Sequence, residues 1–109
     1  MNASLHIDFS SMPWEPVGPG ARQKSLVHDG QQLRLVEFSD AFVEEHWCIR
    51  GHKGYVVRGQ MRVNFNGRMQ HYVQGDGLWI PEGEATRHKV VMEPGTTVEL
   101  LLFESAVAR

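Results

Sequence analysis

The chain has 109 residues, 41% hydrophobic and 22% charged, which suits one soluble domain with a core of its own and leaves no room for a second. Its formal net charge is −2 and its eleven Lys and Arg residues are scattered singly, so no basic stripe is available to neutralise a phosphate backbone and no nucleic-acid partner is expected. No apolar run approaches the roughly 18 residues of a membrane span, and Met1-Asn-Ala-Ser-Leu-His6 lacks the basic and apolar parts of a secretory signal; the expectation is a cytoplasmic protein with no membrane partner.

In chain order, residues 1–22 carry Pro13, Pro16, Pro19, Gly18 and Gly20 around an isolated Trp14, which predicts an extended N-terminal arm. Trp14 needs an apolar cover, supplied by the body of the domain or by a second subunit. From Lys24 onward short strands alternate with turns, and residues 23–109 are expected to form a single β-domain. Asp29-Gly30 is a tight turn. Leu33, Leu35 and Glu37 alternate with Arg34, Val36 and Phe38; Met61, Val63 and Phe65 alternate with Arg62, Asn64 and Asn66, ending in the hairpin signal Asn66-Gly67. A strand over residues 75–80 is broken by Pro81-Glu-Gly83, and Val90-Val91 and residues 98–103 flank the turn Glu93-Pro94-Gly95. No segment has helical periodicity, so the fold class is all-β.

Chemistry gathers in two clusters. His46-Trp-Cys48 is followed after three residues by His52, and Gly75-Asp-Gly-Leu-Trp-Ile-Pro81-Glu-Gly83 is followed by His88. Imidazole and thiolate hold transition metals, and alternating strand side chains can aim several of them at one point. The same residues also admit a plain structural reading. His52 lies in what reads as a glycine-flanked turn, Gly51-His-Lys-Gly54, Cys48 can be a small buried hydrophobe, and His88 between Arg87 and Lys89 can belong to a polar surface. The lone Cys48 agrees with a reducing compartment and equally with a buried thiol. Glu44 is a candidate outer acceptor or ligand, and Tyr55 and Trp79 are candidates for a pocket wall or the core. Arg62 and Arg87 could hold an anion or sit on the surface. His6, His28 and His71 are set aside.

The two clusters resemble the two motifs of the cupin superfamily, small β-barrels of jelly-roll strands. The second motif's frame, Gly75, five residues, Pro81-Glu-Gly83, matches, as does the spacing of six residues between His52 and the closing Gly59 of the first. Only fifteen residues, 60–74, separate the motifs, as in compact single-domain bacterial-type cupins. The resemblance covers about residues 33–103 and implies a double-stranded β-helix, the jelly-roll cupin barrel. The ligand positions depart from the pattern. His46 matches a family histidine, Cys48 and His52 stand where the family has histidine and glutamate, and Thr86 stands at the second-motif histidine with His88 two residues later.

His46, His52 and His88 would supply three nitrogen donors, with Cys48 as a fourth ligand, for a divalent transition metal such as Fe, Zn, Ni or Mn. The resulting expectation is a small metal-binding cupin acting on a small organic molecule, as a dioxygenase or isomerase. The competing expectation is a metal-free, non-catalytic ligand-binding or sensor cupin. The resemblance also implies a homodimer.

Overall fold

The computed structural model describes residues 5–106. Eight strands carry the fold: β1 Glu15–Gly18, β2 Ala21–His28, β3 Gln31–Phe38, β4 His52–Phe65, β5 Arg68–Val73, β6 Gly77–Ile80, β7 Lys89–Val91 and β8 Val98–Ser105. Only two 3-10 turns, Phe9–Ser11 and Glu84–Thr86, interrupt them among the described residues. The hairpin signals act as read: Asp29-Gly30 and Asn66-Gly67 take positive φ at both residues and join β2 to β3 and β4 to β5. The sheet follows the order β1-β2-β3-β8-β4-β5, with β6 and β7 also paired to β4 and every pairing antiparallel.

β4 closes the barrel. Its first half pairs with β6 and β8, its second with β5 and β7, and an irregularity between Val56 and Arg58 marks where it turns from one layer to the other. Between the layers lies the core of Val36, Val56, Met61, Val63, Leu78, Ile80, Val98, Leu100 and Leu102. This is the double-stranded β-helix of a small cupin.

Two expectations change, and one left open is decided. Regular structure begins inside the stretch read as an arm, because β1 pairs with β2 from Glu15 despite Pro16. A proline without an N–H is tolerated there because β1 is an edge strand. Residues 1–4 of that arm and 107–109 of the barrel lie outside the described residues. Trp14 is covered within the chain, between the Arg22 guanidinium at 4.3 Å and the Lys24 ammonium at 4.7 Å, and Lys24 Nζ also donates to the Phe9 carbonyl at 2.6 Å. The segment Gly51-His-Lys-Gly54 is no turn; its last three residues open β4.

Gly54 is needed there for close approach. A Cβ on it would meet the Leu101 carbonyl oxygen at 2.1 Å, whereas one on Gly77 would meet only the Gly54 oxygen, at an ordinary 3.7 Å. Overpacking of this kind costs on the order of 1–3 kcal/mol or more. Gly54→Ala is therefore expected to lower the urea midpoint strongly, or to prevent folding, while Gly77→Ala leaves it near that of the parent chain.

Candidate functional site

Cys48 and His88 lie far apart in sequence and are locked together by backbone. Cys48 N donates to the His88 carbonyl and His88 N to the Cys48 carbonyl, both at 2.9 Å, forming an isolated antiparallel bridge. Residues paired in this way present their side chains to the same face. His52 enters from the start of β4, where it is registered against Ile80 of β6. Its Nε2 stands 3.8 Å from Cys48 Sγ, and its ring meets that of His88 edge-on with centroids 5.2 Å apart. One donor atom from each of Cys48, His52 and His88 falls within 4.8 Å of the others.

Both imidazoles have one nitrogen engaged away from the cluster. His88 Nδ1 lies 3.0 Å from the Thr86 carbonyl oxygen, a contact that requires the nitrogen to donate and that, in the neutral ring, leaves the lone pair on Nε2. His52 Nδ1 is 3.3 Å from Glu104 Oε2, inside ion-pair range but outside hydrogen-bond angles, so the attraction is electrostatic. Glu104 is 5% exposed and gripped by Arg34, with Nε to Oε1 at 2.9 Å and Nη2 to Oε2 at 3.3 Å. Arg50 Nη2 adds a third cationic contact at 3.7 Å. A carboxylate behind an imidazole fixes the ring's tautomer and orientation, an arrangement common behind metal-binding histidines.

The three groups tune one another. Hydrogen bonding to His52 and then His88 lowers the Cys48 thiol to about 6, against the opposing effect of burial. Burial works against a charged His52, yet contacts with Cys48 and Glu104 outweigh it and raise its pKa to about 9. His88 is also raised, burial again being overcome by Cys48 and the Thr86 carbonyl. Glu104 is held below the usual carboxylate range, because His52 and Arg34 outweigh its burial.

The cluster lines a cavity of about 190 Å³ between the layers. Arg34, Arg50 and Glu44 share the lining with an apolar majority that includes Phe38 and Phe42, whose rings stack 4.2 Å apart. One sulfur and two nitrogens converging here suit a thiophilic divalent ion with a position left open. A tetrahedral ion with bonds of about 2.0–2.3 Å sets its donors roughly 3.5 Å apart, so the Cys48–His52 pair at 3.8 Å already fits.

Of the four residues expected as ligands, the fold brings three together. His46 is exposed and outside the group, because it sits at a bend where the alternation that would have put it on the face of Cys48 does not operate. Regular alternation does not explain His88 either. Thr86 belongs to a 3-10 turn and ties its hydroxyl to the Pro81 carbonyl, and it is the bridge to Cys48 that turns His88 inward. Glu44 accepts from Val90 N at 2.7 Å and is no member of the donor group. Tyr55 and Trp79, 50% and 76% exposed, face outward instead of lining the pocket or the core. Arg62 pairs with Glu93, and Arg87 binds Asn66 and covers Trp47. Sequence reasoning missed Glu104 and Arg34, although a glutamate closing an apolar run on β8 and an arginine within β3 were the visible signals.

With one cysteine in the chain, the thiolate absorbance near 240 nm reports Cys48 alone. In chelator-treated protein it is expected to rise with a midpoint near pH 6. In His52→Ala, which removes the leading cause of the depression, the midpoint should move up toward the range of an ordinary thiol. A midpoint that does not move would show that His52 does not stabilise the thiolate.

Residues 28–108 match the family model described as the AraC-like ligand binding domain. No curated protein matches the chain. Among solved structures, an RmlC-like cupin from Shewanella frigidimarina superposes with a TM-score of 0.77 at 20% identity, covering 98% of this chain and 95% of that one. The polyketide cyclase RemF from Streptomyces resistomycificus gives 0.77 at 20% identity, covering 98% and 88%. KdgF from Halomonas sp. gives 0.71 at 28% identity, covering 97% and 96%. The matched span takes in every strand from β3 onward and all three converging donors, and on that ground the chain belongs to the AraC-like ligand binding domain family, built as a small cupin.

Proposed function

We propose that the protein is a metal-binding cupin in which Cys48, His52 and His88 hold a divalent transition ion, zinc or ferrous iron before nickel or manganese, and that it acts on a small organic molecule in the lumen. The convergence of these three donors within 4.8 Å at the wall of the cavity between the layers carries the reading. A thiolate among the donors favours the more thiophilic ions. When bound, such an ion supplies Lewis-acid polarisation of a substrate oxygen or an activated water. The chain does the rest. Glu104, clamped by Arg34, steers the His52 ring so that Nε2 faces inward, and Thr86 does the same for His88. Glu44 sets a carboxylate in the same lumen, anchored through one oxygen by Val90 N, where it can take and return a proton. That pairing favours isomerase-type proton transfer over dioxygenase chemistry. The polyketide cyclase among the structural neighbours is in keeping with a catalytic use of this fold.

A second reading, a ligand-binding or sensor domain without turnover, is favoured by the family's description as a ligand binding domain. Metal content separates the two. Protein purified without a nickel resin is expected to carry about one ion per chain, as is His46→Ala, with Cys48→Ser and His52→Ala far below that. Retention should strengthen as pH rises, because the proton that contacts with Cys48 and Glu104 hold on His52 up to about 9 competes with the ion. Elemental analysis showing no ion in the parent chain at any pH would leave the sensor reading in front.

The same proposal includes a homodimer and a cytoplasmic location, where a reducing medium keeps Cys48 a free thiol. Leu26, Leu33, Phe103 and Trp79 share one row across the outer face of β2, β3, β8 and β6, with Lys53 of β4 between the last two. Leu26, Phe103 and Trp79 are 40%, 46% and 76% exposed, and Tyr55 stands in the next row. An exposed, largely apolar row of this kind, interrupted by Lys53, is what a two-fold contact between identical sheets buries. Sedimentation is expected to give a dimer for the parent chain and a monomer for Phe103→Glu; a monomeric parent chain would remove the dimer from the proposal.

A further inference from the structure

The walls of the lumen define its ligand more narrowly than the fold does. We infer that the cavity takes a small, mostly hydrocarbon carboxylic acid of about one ring, with the carboxylate at Arg50 and the hydrocarbon body among Phe38, Phe42, Met61, Leu78, Leu100 and Leu102. The inference names the ligand class of the site proposed above and rests on that reading for where the ligand sits.

Size comes first. The cavity measures about 190 Å³, and an apolar cavity of about 150 Å³ is enough to hold benzene. Wall chemistry comes second. Most of the lining is aliphatic or aromatic, and the polar groups among it are largely spoken for. The Arg34 guanidinium is spent on Glu104 and on Gln23 Oε1 at 3.0 Å, and Glu104 is shared among Arg34, Arg50 and His52. A sugar would leave most of its hydroxyls desolvated and without partners against these walls, and each such loss is costly.

Charge comes third. On the side of the lumen formed by β3 and β8, two guanidiniums face one carboxylate. Arg50 is the looser of the two. Its side chain is 37% exposed, its contact with Glu104 is 3.7 Å, and its Nη2 also donates to the Ser105 carbonyl at 3.1 Å, leaving guanidinium donors for an anion. The other lumen carboxylate, Glu44, is anchored to β7 through Val90 N. An acid entering the cavity is therefore drawn to Arg50 and turned away from Glu44.

Calorimetric titration of the full chain with benzoate, cyclohexanecarboxylate, benzyl alcohol and glucose tests this, in chelator-treated and in metal-loaded protein. Both acids are expected to bind both forms, benzyl alcohol more weakly, and glucose without measurable heat. Arg50→Gln should weaken both acids about tenfold or more, the loss expected when a charge-assisted hydrogen bond is removed. Leu100→Phe, which fills the lumen, should abolish binding in protein whose circular dichroism matches the parent. Should that variant not fold, Arg50→Gln still decides the matter. Glucose binding more tightly than either acid, benzyl alcohol equal to benzoate, or an Arg50→Gln titration identical to the parent would overturn the inference. Acid binding by a chain that never retains an ion would sink the metal reading and leave this one standing, and an ion-loaded chain that ignores both acids would do the reverse.

Discussion

The site depends on a pair of backbone hydrogen bonds. Cys48 and His88 exchange N–H and carbonyl across an isolated bridge, and neither lies in a named strand. Side chains have little say in that placement, because an antiparallel hydrogen-bonded pair sends both Cβ atoms to one face whatever they carry. The loop leading into β4 and the segment after the Glu84–Thr86 turn are thereby held side by side. Once thiol and imidazole share that face, His52 needs only the register of β4 against β6 to complete the group.

Charge then stiffens what the backbone has placed. Glu104 is almost wholly buried, and an unpaired carboxylate there would carry a desolvation penalty of several kcal/mol. Arg34 offsets it with a two-pronged contact from the neighbouring strand, and His52 takes up what attraction remains. Arg34 and Leu102 are opposed across β3 and β8, as are Gln32 and Glu104, so the ion pair runs diagonally across the same sheet that supplies the apolar floor. Structural strands and site chemistry are thus one assembly. A change in the β3–β8 register would disperse both.

The central sheet is apolar on both faces, with different consequences. Val36, Leu100 and Leu102 point inward to the lumen, while Leu33, Leu101 and Phe103 point outward on the same strands. Such strands read as continuous hydrophobic runs with little alternation. This explains why Tyr55 and Trp79 could be assigned from sequence to a pocket or to the core, yet stand on the outer surface. One face is spent on the lumen, and the other is left for contacts outside the barrel.

Much of the fold was legible along the chain. The Asp29-Gly30 and Asn66-Gly67 turns need positive φ, which those residue pairs tolerate, and their positions fix two hairpins. The spacing around Gly59, Gly75, Pro81 and Gly83 pointed to the cupin barrel, and Cys48, His52 and His88 were all identifiable by chemistry. Local pattern misled where backbone shape departs from regular strand, at the bend of His46 and at the 3-10 turn of Thr86, and where a glycine read as a turn signal lies within regular strand, at Gly54, whose missing Cβ serves interstrand packing. Sequence by itself therefore determined the all-β architecture, its turns and the donor types available. Only the tertiary structure decided which donors converge and that Glu104 and Arg34 stand behind them, because convergence depends on pairings between segments some forty to seventy residues apart, which no local periodicity encodes.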